Sequence, residues 1–367
     1  MRFTVSQSSL AKALSVVSKG IASHSTIPVL GGILMRASNG TLEMQTSDLD
    51  TSIRHKIAAN VEEEGETVIS GRMLSNVVKN LQDAAVTFDG GEGTINVTCD
   101  KSSFHLNTLN ASEFPSFPEI AMERSVELPC DALSEMVDKV YKVTSRDTSR
   151  PVLAGILLNV EENCVRLVAT DSYRLVVCDT NVETSSLEGT FEMIIPGTAF
   201  HDVLSLPSDS ATVIIGATAN QVIFVSGNTT YVSRRIEGTF PNYKQLLPSS
   251  CLTTMRTKVA DLAGALRRVS SIATSNSAVR FDVDPDAGLV TLSSTSPDQG
   301  DAREQVNVEV EGEANSICMN YRYVGDCVGA LSQDSEVTLE LQQSMRPGVF
   351  KSYGKINYLY LLMPVRM

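Results

Sequence analysis

The chain has no tryptophan, four histidines and only 5% aromatic residues. A groove that stacks unpaired bases needs more rings than that, so a single-strand binder is disfavoured. The histidines, His24, His55, His105 and His201, stand at no metal-binding spacing with one another or with a cysteine, which argues against zinc. Seven cysteines form an odd set without a CxxC pair. They read as reduced thiols of a cytoplasmic protein rather than a disulfide framework. Neither a GxxxxGK[ST] phosphate loop nor a GxGxxG turn occurs, so any ATP requirement belongs to a partner, and no cofactor is expected. The longest uncharged apolar stretches, Pro151 to Val160 and Leu359 to Val365, fall well short of the ~20 residues of a membrane helix. The N-terminus has no continuous apolar run of the signal-peptide kind. No membrane association is expected.

What is present is a chain of 367 residues, 42% apolar and 20% charged, which is folded and long enough for two or three domains. Its net charge is −13. That balance opposes nucleic-acid binding by bulk electrostatic attraction.

The chain also repeats itself at domain scale. LGGILM at Leu30 returns as LAGILL at Leu153, and Asp48 returns as Asp171, both at an offset of 123. ISGRML around Gly71 returns as IPGTAF around Gly197, and EFP ending at Pro115 returns as TFP ending at Pro241. A third copy emerges when apolar spacing is followed: Leu10, Leu14 and Val17 match Leu133, Val137 and Val140, and again Leu262, Leu266 and Val269. This i, i+4, i+7 spacing predicts an amphipathic helix opening each copy. A second helix follows in each, around Leu74, Phe200 and Val324, and alternating segments such as TLEMQTSDL and VRLVATDSYRL predict antiparallel strands. The copies divide at about 1–124, 125–250 and 251–367, with FPSFPEI and LPSSCLTT as linkers. The fold class is therefore α+β: three similar domains, each with two helices packed on antiparallel sheets.

Charge is unevenly spread over these elements. The helix windows 8–19, 71–81, 131–150, 197–206, 259–269 and 320–331 sum to +4, leaving −17 outside them. Three like units form an arc, and two arcs related by a twofold axis close a six-domain ring that covers the strand edge at each end. Solvated helix faces are the plain account of these charges; in a ring whose helices face inward, twelve helices at ~10 Å spacing leave a hole of roughly 28 Å. A duplex about 20 Å wide passes through it, making weak phosphate contacts suited to sliding.

The residues MRFTV, IPVLGGILM, VATDSYRL, GTFPNY and YLLMPVRM together resemble the bacterial DNA polymerase III beta subunit family, the replicative sliding clamps, over all three copies. The resemblance implies a non-catalytic homodimeric ring on double-stranded DNA. Its implied partners are the polymerase III alpha subunit, the clamp loader, and other polymerases and repair proteins that dock through short linear motifs. Carried over by position, the partner groove is implied at Leu153, Thr170, Ser172, Tyr173, Arg174, Leu175, Pro241, Gln245, Leu246, Met345, Pro347, Leu361, Leu362, Met363, Pro364, Val365, Arg366 and Met367. Arg174 and Arg366 are expected to offer donors to peptide carbonyls. DNA contacts are implied at His24, Arg72, Arg146, Arg150, Asn320, Arg322 and Tyr323. Gly197 and Thr198 stand where some relatives carry basic residues toward DNA. The dimer seam is implied to set Phe104 and Leu106 of one protomer against Ile272 and Ala273 of the other.

Enzyme signals are present as fragments. Ser9-Leu10-Ala11-Lys12 matches SxxK, without the SDN and KTG companions of that chemistry. Asp48-Leu49-Asp50, Asp282-Val283-Asp284 and Asp284-Pro285-Asp286 have the spacing of magnesium-holding pairs. A metal-dependent transferase using Asp48 and Asp50 is the competing reading, and strand-end turns are the simpler account of these pairs.

Overall fold

The computed structural model describes residues 1–22, 24–91, 93–147, 149–182, 189–273, 278–343 and 345–366. One pattern of elements is traversed three times. The first pass comprises β1 (Arg2–Ser6), α1 (Gln7–Val17), β2 (Gly32–Ser38), β3 (Thr41–Ser47), β4 (Thr51–Ala58), β5 (Asn60–Glu63), β6 (Gly65–Ser70), α2 (Gly71–Lys79), β7 (Ala85–Gly90), β8 (Thr94–Cys99) and β9 (Ser102–Leu109). The second comprises β10 (Arg124–Pro129), α3 (Cys130–Tyr141), β11 (Gly155–Glu161), β12 (Cys164–Thr170), β13 (Arg174–Asn181), β14 (Thr190–Pro196), α4 (Gly197–Leu204), β15 (Thr212–Ala217), β16 (Gln221–Ser226) and β17 (Thr229–Arg234). The third comprises β18 (Thr253–Lys258), α5 (Val259–Val269), β19 (Ala278–Asp284), β20 (Leu289–Ser296), β21 (Gly300–Asn307), β22 (Glu309–Gly312), β23 (Asn315–Asn320), α6 (Tyr321–Gly329), β24 (Glu336–Leu341), β25 (Gly348–Ser352) and β26 (Asn357–Leu362).

The passes agree down to single hydrogen bonds. At the start of the first helix of each, a backbone N–H donates at 2.9 Å to the residue just before the matching strand: Gln7 to Ala84, Cys130 to Ala211, Val259 to Ser335. The three apolar triplets that predict these helices are all at most 4% exposed, so each helix is held by one buried stripe. Ser6 caps α1, its hydroxyl accepting from the Ser9 N–H at 3.2 Å. None of the helices among the described residues is long and apolar enough to cross a membrane.

One helix is shorter than its window. α3 stops at Tyr141 rather than running to Arg150. The apolar period ends at Val143; its N–H tightens onto Val140, and the Ser145 N–H leaves the helix to donate to Leu153 at 2.7 Å. Lys142, Arg146 and Arg150 therefore lie in the loop that follows, while α3 itself carries Asp131, Glu135 and Asp138 against Lys139.

All strand pairs are antiparallel, and the described residues form sheets of 13, 9 and 4 strands. The large sheets arise because strands pair across repeat boundaries. β17 of the second pass pairs with β4 of the first, setting Tyr231 opposite Ile53. β26 of the third pairs with β13 of the second, setting Tyr360 opposite Val176. Ile53 and Val176 are equivalent at the offset of 123, so the two joins share one register. By contact the described residues form two compact units, one from 1–133 and 198–235, the other from 134–182, 189–197 and 236–366, and the middle repeat contributes strands to both.

His55 lies on β4 at the first join, its Nδ1 2.9 Å from Thr229 Oγ1. Burial lowers its pKa below the ordinary 6.5, with Asp209 acting weakly the other way. The unfolded chain then holds the proton more tightly than the folded one, so this contribution is complete above the unfolded value and is lost as pH falls below it. Urea unfolding at about pH 7.5 and about pH 5.5 tests this: the midpoint should fall at the lower pH, and fall less in His55→Gln.

Candidate functional site

The segment TDSYRL folds into a tight turn at the head of β13. The Asp171 carboxylate Oδ1 accepts the N–H groups of Tyr173 and Arg174, each at 3.0 Å, and Ser172 sits at φ +79°. The same turn stands at Asp48, whose Oδ1 accepts from Asp50 at 3.0 Å and Thr51 at 2.7 Å, with Leu49 also at φ +79°. Asp50 itself is paired with Arg234 at 2.8 Å. Asp48 thus serves the turn and Asp50 an exposed ion pair, the strand-end account of this pair. Asp284 is used likewise, accepting from Asp286 and Ala287.

The turn aims Arg174 inward, where it is only 7% exposed. Its Nε donates to Asp171 at 3.0 Å, Nη1 to Asp326 at 2.6 Å and to the Tyr360 hydroxyl at 3.0 Å, and Nη2 to the Lys142 carbonyl at 2.7 Å. The Tyr323 ring stacks on the guanidinium at 4.2 Å, and the Tyr360 hydroxyl donates on to the Tyr323 carbonyl at 3.0 Å. Burial works against the charge, but Tyr360 and the two carboxylates more than offset it and keep Arg174 protonated. Burial likewise raises the Tyr360 phenol pKa and keeps it a donor. The expectation that Arg174 serves peptide carbonyls is corrected: four internal acceptors hold it, and it ties the second and third repeats together.

On the face of the join opposite Arg174 lies an apolar cluster: Leu175 and Leu361 face each other across the second join and pack with Leu157, Val168, Val177, Ile194, Phe240, Tyr243 and Val349. Of the other residues marked for the groove, Tyr173, Leu246, Met345 and Met363 are 62%, 55%, 53% and 42% exposed. The tail is fastened here by its backbone: Met363 N–H donates to the Tyr173 carbonyl at 3.0 Å and Val365 N–H to Cys318 at 2.9 Å. Thr170 is buried and donates to the Arg174 carbonyl, and Leu153 is buried beneath. Pro241, Gln245 and Arg366 are exposed, while Pro347, Pro364 and Val365 are half-buried. Leu362 is fully buried, because strand alternation sends it to the face opposite Leu361. Met367 lies outside the described residues.

The first join has the same backbone and a different surface. Where the second join has Val168, Leu175, Val177 and Leu359, the equivalent positions hold Gln45, Ser52, Arg54 and Thr230. Arg54 lies over the Phe117 ring at 4.4 Å, and Glu43 pairs with Lys56 at 3.2 Å. The apolar groove is thus a property of four side chains.

Of the residues marked for DNA, His24, Arg72, Arg146 and Arg322 are exposed. Arg150 bonds Ser172 Oγ at 2.9 Å and Asp147 at 3.5 Å, beside the groove. Asn320 caps α6 through the Arg322 N–H, and Tyr323 covers Arg174. Gly197 is buried, and a Cβ there would meet Thr144 Cγ2 at 2.8 Å. Any side chain at that position has to displace Thr144. Among the seam residues, Phe104 and Ile272 retain exposed area, whereas Leu106 and Ala273 are buried within the chain. Sequence reading missed Asp326 and Tyr360. The available signal was the repeat itself: Asp326 is the counterpart of Asp202, which pairs with Lys19 at 3.1 Å at the first join.

Family models described as the DNA polymerase III beta subunit N-terminal, central and C-terminal domains match residues 1–118, 127–242 and 244–366. The chain is 27% identical over 374 residues to the beta sliding clamp of Synechococcus elongatus, covering 100% of both chains. It is 30% identical to a beta sliding clamp homolog of Streptomyces muensis, covering 100% of this chain and 99% of that one. Among solved structures, the DNA polymerase sliding clamp of Bacillus subtilis is similar at a TM-score of 0.93 and 27% identity, covering 100% of this chain and 99% of that one. A sliding clamp of Bartonella birtlesii bound to griselimycin is similar at 0.92 and 27%, covering 100% of both.

Replacing Arg174 by Met leaves Asp171, the Tyr360 hydroxyl and the Lys142 carbonyl without their donor, and because Asp326 is 36% exposed the loss should fall below the about 3–5 kcal/mol of a fully buried pair. Urea denaturation should show it, and Arg174→Lys should not restore stability, because one ammonium does not span four acceptors.

Proposed function

Because the chain belongs to the DNA polymerase III beta subunit family, a family of non-catalytic sliding clamps, we propose that it encircles duplex DNA as a homodimeric ring and tethers the replicative polymerase. The observation that carries the ring is the repeated strand join. Two joins are made within the chain, and among the described residues the equivalent edges of β9 and β21 have no such join. β9 is paired along its length only by β8, meeting β6 just at Thr108 and Leu109, and β21 ends the four-stranded sheet. Head-to-tail pairing of two copies satisfies both edges at once.

The register of that seam follows from the joins already made. Phe104 is the counterpart of Tyr231 and Tyr360, and Ala302 of Ile53 and Val176. Phe104 of one copy then faces Ala302 of the other, and His105 faces Asp301. Ile272 lies in the short turn after α5 that packs on β21, which supports its place at the same seam. The three domains divide near 1–124, 125–250 and 251–367, a division supported by the matched spans 1–118, 127–242 and 244–366.

The surface around Tyr173, Leu246, Met345 and Met363 is the partner groove, taking linear motifs of the polymerase alpha subunit, the clamp loader and repair proteins. Leucine, methionine and tyrosine adapt to more than one such motif. His24, Arg72, Arg146 and Arg322, all exposed, supply weak sequence-independent phosphate contacts, with Arg150, Asn320 and Tyr323 at their margin. The protein acts in the cytoplasm, where its seven free thiols stay reduced.

Retention on circular DNA that disappears when the circle is cut tests encirclement; retention on the linear form would overturn it. Phe104→Ala or Ile272→Asp should shift sedimentation toward monomer, and an unchanged profile would refute the seam. Removing residues 363–367 should abolish polymerase stimulation with the dimer intact.

A further inference from the structure

Beside the groove the second join holds a cavity of about 310 Å³. Its apolar floor is Val177, Leu247 and Leu359, and its rim carries Arg166, Lys244 and Asp179. Val177 and Leu359 lie two residues along their strands from Leu175 and Leu361, on the same face, so the cavity continues the groove by roughly 7 Å. Arg166 sits 3.9 Å from Asp179, whose other oxygen accepts from Asn357 at 3.0 Å. Asp179 is thus spoken for, Lys244 is exposed at the opening, and two cations face one carboxylate in a chain of net charge −13. At the first join Arg54 stands in place of Val177 and stacks over the ring of Phe117, the counterpart of Tyr243.

The geometry points to an accessory subsite that takes the flank of a partner peptide, one apolar residue seated on Val177, Leu247 and Leu359 with an adjacent carboxylate at Lys244. The inference rests on the groove reading and adds an acidic flank to what the groove selects. An extended peptide held across Leu175 and Leu361 runs into the cavity along the join without turning, and continuity and charge both favour that occupant over a free small molecule.

Three fluorescein-labelled synthetic peptides test it by fluorescence anisotropy on the full-length protein: an apolar core, Leu-Gly-Leu-Phe, with side chains at the period of two that Leu175 and Val177 set along the join, and the same core extended by Asp-Phe-Gly at the front or by Gly-Phe-Asp at the end. One extension should tighten binding by about tenfold. Lys244→Glu should abolish that gain and leave the core peptide's affinity unchanged. Val177→Arg, which places the arginine of the first join at this position, should abolish the gain as well. No gain from either extension overturns the subsite, as does a gain that survives both variants or a Lys244→Glu loss shared by the core. Failure of the core itself to bind overturns the groove reading and this inference with it.

Discussion

A β-strand at the end of a sheet carries a row of backbone donors and acceptors with no partner, and each repeat of this chain has such an edge at either end. The antiparallel join of β17 to β4, and of β26 to β13, satisfies them in one register. Everything of functional interest is arranged around those joins. The aromatic residues Tyr231 and Tyr360 are buried at them, the two large sheets exist because of them, and the apolar groove lies on the outer face of the second.

Identical backbones at the two joins carry different chemistry. The first is held by Lys19 with Asp202 and has a polar outer face closed by Glu43, Lys56 and Arg54. The second concentrates its polar bonds on the buried Arg174, while Tyr173, Leu246, Met345 and Met363 stay exposed. A buried ion network fixes geometry at some cost in desolvation. An exposed patch of Tyr173, Leu246, Met345 and Met363 costs solubility unless a partner covers it. The two costs are spatially separated, and a rigid floor under an adaptable rim is what a site for several partners needs.

Much of this was legible from residue order. Helix stripes at Leu10, Leu133 and Leu262 are set by local periodicity, and the Asp48 and Asp171 turns by a single carboxylate reaching its own backbone. The groove's exposed residues were found through resemblance, since nothing local distinguishes Leu361, which faces it, from Leu362, which does not. The extent of α3 was misjudged because charged residues continue past the last apolar contact, and charge alone holds no helix.

The sequence by itself determined the threefold repeat, the α+β class and the family, because periodicity and motif are written in neighbouring residues. Tertiary structure alone decided that Arg174 is an anchor rather than a peptide donor, that a side chain at position 197 has to displace Thr144, and that β9 and β21 each keep an edge with no strand along its length among the described residues. Each of those depends on atoms brought together from distant parts of the chain: Asp326 and Lys142 around Arg174, Thr144 against Gly197. Burial and satisfaction of polar groups are properties of that assembled neighbourhood, and no stretch of sequence carries them alone.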